Sequence, residues 1–267
     1  MLTFANAKIN LGLHITEKRP DGYHNLETIF YPARVYDTVE ITSAGETSCI
    51  IRGIDIPGEV TDNICLQAYD LLKNDFDLPA LQITLLKNIP VGAGLGGGSA
   101  DAAFLIKLVN KKFELGLTEN TMEDYARQLG ADCAFFIRNQ PVYAEGRGDQ
   151  FSAVATDLSS KFLVLVKPPV HVSTADAFGG LRPSPPVNPL KELIQLPVSE
   201  WKGNIKNDFE DTIFLKYPEI SQIKRDLYHA GATFALMSGS GSSVFAIFEH
   251  AVTLPDLEKT NRVFYNI

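Results

Sequence analysis

Residues 90–103 read PVGAGLGGGSADAA, with five glycines among residues 92–98. Glycine is costly in chain entropy, so this density indicates that side chains would obstruct something bound at the loop. An apolar, strand-like stretch (80–89) precedes the loop. Apolar residues at helical spacing follow it, namely Ala102, Leu105, Ile106 and Val109. A strand, a bare loop and a helix N-terminus together predict an anion site, most simply for a phosphate, and a flexible surface turn is the alternative.

Other phosphate-binding motifs fit the loop less well. Gly92, Gly94 and Gly97 match the G-x-G-x-x-G spacing of dinucleotide-binding folds. A second helix is predicted at 118–129 directly after the first at 99–113, so the β-α-β unit that such folds need is missing. No Gly-Lys-Ser/Thr follows the glycines, which excludes a Walker loop, and the protein-kinase triplets are absent. The loop is therefore expected to bind phosphate with backbone N–H groups, at a helix that begins at Ser99.

The composition is that of an ordinary globular chain, with 267 residues of which 45% are hydrophobic, and this length favours two domains. The formal net charge of -8 comes without a basic stripe, which argues against nucleic-acid binding. The chain has three cysteines, an odd number, and they lie far apart in the sequence (Cys49, Cys65 and Cys133). This pattern does not indicate a disulfide framework, so we expect a reducing, cytoplasmic location. We find neither a signal peptide nor an apolar run of membrane-spanning length, so no membrane partner is expected.

Hydrophobic patterning predicts an α+β chain in which the pattern of helices and strands changes near residue 155. We expect an N-terminal domain at 1–155 and a C-terminal domain at 156–267. The N-terminal elements predicted besides those around the loop are strands at 2–15 and 23–30, a hairpin formed by 37–43 and 47–53, and a helix at 63–75. The C-terminal elements predicted are a central strand at 161–169, an irregular segment at 179–189, a helix ending near His229, a strand pair at 233–248 and a helix near 255–261.

The first strand places Lys8 on one face with Asn6 and Asn10, because apolar residues occupy every odd position from 5 to 15. A lysine in a strand commonly points to solvent, and that is the ordinary interpretation. Two flanking amides without an acidic partner are instead typical of a face that binds hydroxyl groups or phosphate.

Two further segments combine polar and apolar residues unusually. Asp132 lies in the apolar run LGADCAFFI (129–137), where it either caps a short helix or has a chemical role. Gly239 and Gly241 separate two apolar strands, where they form either a tight hairpin turn or part of a site.

The segments AKINLGLHI (7–15), DGYHNLETIF (21–30), GLGGGSADAA (94–103) and GADCAFF (130–136) resemble the GHMP small-molecule kinases. This superfamily includes galactokinase, homoserine kinase, mevalonate kinase and phosphomevalonate kinase, and the resemblance covers nearly the whole chain. It implies an N-terminal domain like ribosomal protein S5 domain 2, a ferredoxin-like C-terminal domain, and ligands between them. The GGGSAD form of the loop is similar to the loop of one branch of the superfamily. Enzymes of this branch use ATP and Mg²⁺ to phosphorylate a cytidine diphosphate conjugate of a methylated tetritol.

The resemblance also implies roles for residues at matching positions. Asp132 would take the proton from the substrate hydroxyl, and Lys8 would lower the pKa of that hydroxyl. Ser99 is a candidate Mg²⁺ ligand. The residues expected to wrap the ATP phosphates are Pro90, Val91, Gly92, Ala93, Gly94, Leu95, Gly96, Gly97, Gly98, Ser99 and Ala100.

For the substrate, the resemblance implies that Tyr23 and His24 hold the cytosine, one by stacking and the other by hydrogen bonding. Asn10 would touch the methylerythritol end, and Phe178 is a candidate for the opposite stacking wall. An aromatic pair beside a turn is the alternative for Tyr23 and His24. Arg147 stands where relatives commonly have an apolar residue, and the resemblance gives it no role.

Two other functions stay open, a different kinase of the superfamily and a non-catalytic nucleotide sensor. The DGYHNLETIF segment (21–30) argues against the first, because another kinase needs no cytosine pocket. The presence of both Lys8 and Asp132 argues against the second. The chain is expected to be a monomer or a homodimer.

Overall fold

The computed structural model describes residues 1–267 apart from the side chain of Thr174. The chain forms two compact units, and each is discontinuous in sequence. The first unit consists of Met1–Ala7, Val35–Val91 and Gly96–Gln140, and the second of Lys8–Arg34, Gly92–Leu95 and Pro141–Ile267. The division differs from the single boundary predicted after residue 155, because residues 8–34, 92–95 and 141–155 group with the second unit.

Two long strands contribute residues to both units. They are β1 (Leu2–Lys18) and β2 (His24–Ser43). The other elements of the first unit are β3 (Ser48–Gly53), α1 (Ile64–Asp75), β4 (Leu81–Lys87), α2 (Gly97–Phe113), α3 (Glu119–Leu129) and α4 (Phe135–Arg138). The helix predicted at 63–75 is confirmed, and Asn63 caps it by accepting a hydrogen bond from the N–H of Cys65 at 2.9 Å.

The pairing of β4 contradicts the predicted hairpin. Residues 38–43 of β2 pair antiparallel with β4, and β3 pairs with the other edge of β4 in parallel. Segments 37–43 and 47–53 are therefore strands that do not pair with each other. The short connection between them suggested a hairpin, but β4 lies between them, and its alternating residues Leu81, Ile83 and Leu85 are fully buried.

Helix α2 has the predicted buried face, since Ala102, Leu105, Ile106 and Val109 are fully buried. It begins at Gly97, two residues earlier than predicted. The reason is that Gly96 adopts a left-handed backbone with φ 68° as the N-cap, so the last glycines of the loop form the first turn of the helix.

The second unit contains the remaining elements. They are β5 (Val142–Glu145), β6 (Gln150–Ala153), β7 (Phe162–Lys167), α5 (Thr174–Phe178), α6 (Leu190–Leu193), α7 (Phe209–Lys216), α8 (Pro218–His229), β8 (Phe234–Met237), β9 (Val244–Phe248), α9 (Pro255–Glu258) and β10 (Arg262–Tyr265). Residues 28–30 of β2 pair with β5, and β5 pairs with β6.

The last sheet has the ferredoxin-like arrangement. Its strands lie in the order β10-β7-β9-β8 with antiparallel neighbours, α7 and α8 precede β8, and α9 precedes β10. The central strand, the strand pair and the helix ending at His229 are confirmed, whereas β10 was not predicted. Leu13 and Ile15 of β1 pack in the apolar core of this sheet with Val164, Phe209 and Ile223. None of the helices described here has the length and apolarity needed to cross a membrane.

Candidate active site

Strand β1 buries both of its faces. Its apolar odd positions are buried as predicted, and the polar side chains of Asn6, Lys8, Asn10 and His14 are only 2% to 5% exposed. The ordinary interpretation of Lys8, a solvated strand face, is therefore wrong. A buried ammonium group needs hydrogen-bond partners, since its desolvation is otherwise costly.

Lys8 begins a chain of hydrogen bonds within the second unit. Its Nζ donates to Oδ1 of Asn10 at 2.7 Å, and Nδ2 of Asn10 donates to Oγ1 of Thr28 at 2.9 Å. Thr28 Oγ1 in turn donates to the carbonyl of Gly12 at 2.6 Å. The ammonium also lies 4.9 Å from the ring centroid of Phe30, a cation–π distance. These partners hold the Lys8 head group in one position.

The late glycine turn packs against the glycine loop. Ser238 Oγ donates to the carbonyl of Gly94 at 2.9 Å and lies 3.2 Å from the backbone N–H of Asn10, which donates to it. A Cβ on Gly94 would come within 1.9 Å of the Ser238 carbonyl oxygen, and Gly94 has φ 76°. The turn does join β8 to β9, but its contact with Gly94 shows that it is more than a hairpin connection.

The glycines of the loop do not all have the same purpose. A Cβ on Gly97 would lie 2.9 Å from Cγ2 of Ile89, and one on Gly92 would lie 2.6 Å from the ring of His171. A Cβ on Gly98 would meet no atom closer than Cγ2 of Ile64 at 4.0 Å. The φ of 61° at Gly92 and the neighbours of Gly94 and Gly97 therefore favour glycine at these three positions, whereas a Cβ on the exposed Gly98 would make only an ordinary van der Waals contact.

Asp132 lies in a turn between α3 and α4 and is partly exposed. Ala134 is the N-cap of α4, so the interpretation of Asp132 as the cap of that helix is wrong. The adjacent thiol of Cys133 is buried, and burial raises its pKa to about 11, although a hydrogen bond with Ser99 acts in the opposite direction. Ser99, in the first turn of α2, therefore lies near the residue that follows Asp132.

A buried group of three charges in the first unit was missed by the sequence analysis. Nζ of Lys87 contacts Oδ2 of Asp37 and lies 2.5 Å from Oδ2 of Asp101. The three side chains are at most 3% exposed. Burial raises the pKa of Asp101 to about 7, although Lys87 acts to lower it. The available signal was a charged residue in each of three otherwise apolar segments.

The aromatic residues assigned to the base lie in the second unit. His24 stacks on Phe178 with ring centroids 4.8 Å apart, and Phe178 contacts Phe209 edge to face. The two rings contact each other directly, and their assigned roles at the base stay predictions. Tyr23 is 59% exposed, and the guanidinium of Arg147 lies 5.4 Å from its ring centroid. Arg147, which had no assigned role, thus lies against a residue assigned to the base.

The structure groups the site residues by unit. Lys8, Asn10, Tyr23, His24, Phe178 and residues 92–95 belong to the second unit, and residues 90–91, 96–100 and Asp132 belong to the first. Lys8 and Asp132 belong to different units, and their joint action stays a prediction. The roles assigned to the other site residues also stay predictions.

Comparison with known proteins places the whole chain in a family. A family model described as "GHMP kinases N terminal domain" matches residues 63–140, and "GHMP kinases C terminal" matches residues 190–259. The chain is 55% identical to a protein of Bacteroides fragilis named "4-diphosphocytidyl-2-C-methyl-D-erythritol kinase", over 97% of this chain and 96% of that protein. A protein of the same name from Bacteroides thetaiotaomicron is 52% identical over 99% of this chain and 98% of its own length. The chain belongs to the GHMP kinase family.

Solved structures agree with this assignment. The fold of this GHMP kinase matches "Crystal structure of 4-(cytidine 5'-diphospho)-2C-methyl-D-erythritol kinase" with a TM-score of 0.82 and 28% identity, over 99% of this chain and 98% of that one. It also matches "Crystal structure of mevalonate kinase" with a TM-score of 0.65 and 15% identity, over 99% and 98% of the chains, which shows the shared fold alone. The two-domain GHMP kinase fold predicted from the sequence is therefore confirmed.

The residues of this GHMP kinase fit ATP and its metal ion. The exposed backbone at Gly98 and the N-terminus of the long helix α2 suit a phosphate group. Ser99 offers a hydroxyl oxygen in the same helical turn, a ligand type that Mg²⁺ accepts when nucleotide phosphates and water supply the rest. Among the described side chains, no group of three or more His, Cys, Asp or Glu residues forms a separate metal site.

Proposed function

We propose that this GHMP kinase transfers the γ-phosphoryl group of ATP to the 2-hydroxyl of 4-diphosphocytidyl-2-C-methyl-D-erythritol, a step of the non-mevalonate isoprenoid route. The observation that carries the proposal is the 55% identity over 97% of the chain to a protein of that name. The buried lysine and amide cluster on β1 supports it, since a phosphoryl transfer needs a positioned positive charge near the reacting oxygens.

To bind the nucleotide, residues 90–100 wrap the phosphates of ATP. The first N–H groups of α2 have no partner within the helix and donate to phosphate oxygens, and the helix dipole favours the negative charge. Ser99 would hold the metal ion, which would neutralise charge on the phosphate oxygens. Glycine at position 98 lets a phosphate approach the backbone without meeting a side chain.

In the chemical step, Asp132 accepts the proton of the substrate 2-hydroxyl as that oxygen attacks the γ-phosphorus. The new O–P bond forms as the bond from the γ-phosphorus to the bridging oxygen breaks, and ADP leaves with that electron pair. Lys8 stabilises the developing charge and lowers the pKa of the hydroxyl. Asn10 holds the Lys8 ammonium at 2.7 Å, which orients it before the substrate arrives.

For substrate selection, His24 reads the edge of the cytosine and Tyr23 stacks on its face. Tyr23 suits stacking because its ring is more than half exposed, with Arg147 beside it. His24 is held in place by its stacking on Phe178. Stacking of a base on an aromatic ring contributes about 1–3 kcal/mol, so Tyr23→Ala is expected to raise the KM for this substrate about tenfold.

The proposed function is tested by measuring ADP release with four acceptors, namely 4-diphosphocytidyl-2-C-methyl-D-erythritol, homoserine, mevalonate and galactose. We expect turnover with the first alone, and we expect CMP and CDP to compete with it but not with ATP. Turnover with another acceptor would make the protein a different kinase of the family. Nucleotide binding without any turnover would make it a sensor.

A cytoplasmic location and a monomeric or homodimeric state stay part of this proposal. Gel filtration with light scattering would decide between the two oligomeric states. Fractionation of cells that express the tagged protein would test the location.

A further inference from the structure

The buried charges of Asp37, Lys87 and Asp101 lie at both ends of the glycine loop. Lys87 is the last residue of β4, where the loop begins, and Asp101 lies in α2, where the loop ends. Oδ1 of Asp37 accepts the backbone N–H groups of the two residues that follow β4 and lead into the glycine loop, Asn88 at 2.5 Å and Ile89 at 2.8 Å. One buried cluster therefore binds the start of the loop and the helix that follows it.

We propose that Asp37, Lys87 and Asp101 are positioning residues, which hold the two ends of the glycine loop at the spacing that binds the ATP phosphates. The inference rests on the proposed function, since it assumes that the loop binds ATP. None of the three residues is assigned a contact with ATP. They act through the backbone of the loop and the first turns of α2.

Stability alone gives a poor account of these three charges. Burying a charged pair costs so much desolvation that well-packed apolar residues commonly stabilise a core as well or better. Oδ1 of Asp101 is also buried without a hydrogen-bond partner among the described residues, which adds to the cost. What the cluster does supply is directional contacts that join β2, β4 and α2 at fixed distances.

Fixed distances matter because the loop offers donors and no side-chain charge. Unless the N–H groups already point at the phosphates, ATP must order them on binding, and that ordering reduces affinity. Gly97 adds to the close packing, since a Cβ on it would lie 2.9 Å from Cγ2 of Ile89 and 3.5 Å from Oδ2 of Asp37. The buried cluster of Asp37, Lys87 and Asp101 therefore fixes the start of α2 against the end of β4.

The test uses Asp101→Ala, which releases α2 but leaves Lys87 paired with Asp37, so no buried charge loses its only partner. We expect the Kd of Mg²⁺ with a non-hydrolysable ATP analogue, measured by calorimetry, to rise at least about tenfold with a less favourable binding entropy. The KM for the cytidine substrate should change less than about twofold, because no part of its site is released. Asp101→Asn keeps an acceptor oxygen for Lys87 and should restore binding to within about threefold of wild type.

The matched control is Glu123→Ala. Glu123 is also a buried carboxylate of the first unit, paired with Arg127 at 2.8 Å and Arg138 at 2.5 Å, and these contacts lie in α3 and α4 and do not join the ends of the loop. It should lower the Tm without changing the Kd for the nucleotide. If Asp101→Ala does not fold, the all-neutral triple variant Asp37→Asn, Lys87→Met, Asp101→Asn replaces it and should show the same loss of nucleotide affinity.

The outcomes separate this inference from the proposed function. Wild-type affinity in a folded Asp101→Ala or triple variant overturns the positioning role and leaves the kinase assignment intact. An equal loss in Glu123→Ala also overturns it, since general loosening would then be the cause. A wild-type protein that binds no nucleotide overturns the proposed function, and the positioning role with it.

Discussion

The side chain of Lys8 shows how one residue is prepared for chemistry. Its four-carbon stem lies in a strand that is buried on both faces, and Asn10 and Phe30 surround its head group. A neighbouring amide orients the ammonium without removing its charge, which suits the proposed role of Lys8 at the transferred phosphoryl group. Asp132, the proposed base, lies on a turn and is partly exposed.

The first prediction concerns these two residues. Lys8→Met and Asp132→Asn should each lower kcat at least about a hundredfold, because each removes a group that acts on the transferred proton or charge. Calorimetry should still show nucleotide binding, since the loop backbone is unchanged. Asp124→Asn, which alters an exposed carboxylate paired with Arg127, is the control and should keep normal turnover. Near-normal kcat in a folded Lys8 or Asp132 variant would contradict the assigned roles.

The second prediction concerns the pH dependence of stability through Asp208. Oδ2 of Asp208 accepts the N–H of Ile15 at 2.8 Å, and Oδ1 lies 3.2 Å from Nδ1 of His14. Burial raises the pKa of this carboxyl, but the contacts with His14 and Ile15 outweigh it, so the pKa in the folded protein is lowered. The carboxylate therefore stabilises the fold above the pKa of the unfolded chain, and this contribution disappears as the pH falls through the folded pKa.

Asp208→Asn should accordingly lower the free energy of unfolding by about 1.5–3 kcal/mol at pH 7, the range for a hydrogen bond to a charged group. The difference from wild type should begin to shrink below about pH 4, where this carboxyl becomes protonated in the unfolded chain, and should disappear as the pH falls through the lower pKa of the folded protein. Urea unfolding between pH 3 and pH 7 measures it, with the exposed neighbour Asp211→Asn as the control. A difference that stays constant with pH would show that the charge of Asp208 is not the cause.

At the scale of elements, the glycine loop and α2 combine two requirements in one segment. Gly97 allows close packing on Ile89, whereas Gly98 is exposed at the helix N-terminus. We therefore expect a substitution at Gly97 to affect the fold and a substitution at Gly98 to affect the proposed binding of ATP.

The third prediction compares Gly98→Ala with Gly97→Val. Alanine is favoured over glycine in a helix by about 1 kcal/mol, so Gly98→Ala should keep or raise the Tm while it weakens ATP binding at least about tenfold. Gly97→Val should lower the free energy of unfolding by about 1–3 kcal/mol through overpacking against Ile89. Thermal melts and calorimetric titration measure both effects. Unchanged ATP affinity in the Gly98→Ala variant would show that the phosphates do not bind at this turn.

At the scale of the whole molecule, the two units are assembled from separated segments of the chain. The ferredoxin-like sheet lies entirely within residues 162–265, yet Leu13 and Ile15 of β1 belong to its core. Complete burial of two such side chains contributes roughly 3–6 kcal/mol. The free energy of unfolding of a domain is about 5–15 kcal/mol, so this contribution is a large share of it. The C-terminal segment therefore depends on the N-terminal strand for its stability.

The fourth prediction follows from this dependence. A chain of residues 156–267 alone should lack a cooperative thermal transition and should bind the dye ANS, because the surface that Leu13 and Ile15 cover is exposed. A chain that joins residues 8–34 to 141–267 through a flexible linker should unfold cooperatively. Circular dichroism melts of both chains provide the measurement. A sharp transition for residues 156–267 would support the boundary predicted after residue 155.

The amino-acid sequence by itself determined the features that depend on neighbours in the chain. The buried face of α2, the Asn63 cap of α1 and the apolar strand β7 follow from spacing and intrinsic preference, which operate over one or two turns of backbone. The motifs around Lys8, the glycine loop and Asp132 were sufficient to predict the family. Only the tertiary structure decided which strand lies between β2 and β3, and it showed that Gly94 must be glycine because Ser238 packs on it from 144 residues away. It also brought Asp37, Lys87 and Asp101 together, because contacts between distant segments depend on how elements pack, and no local preference encodes them.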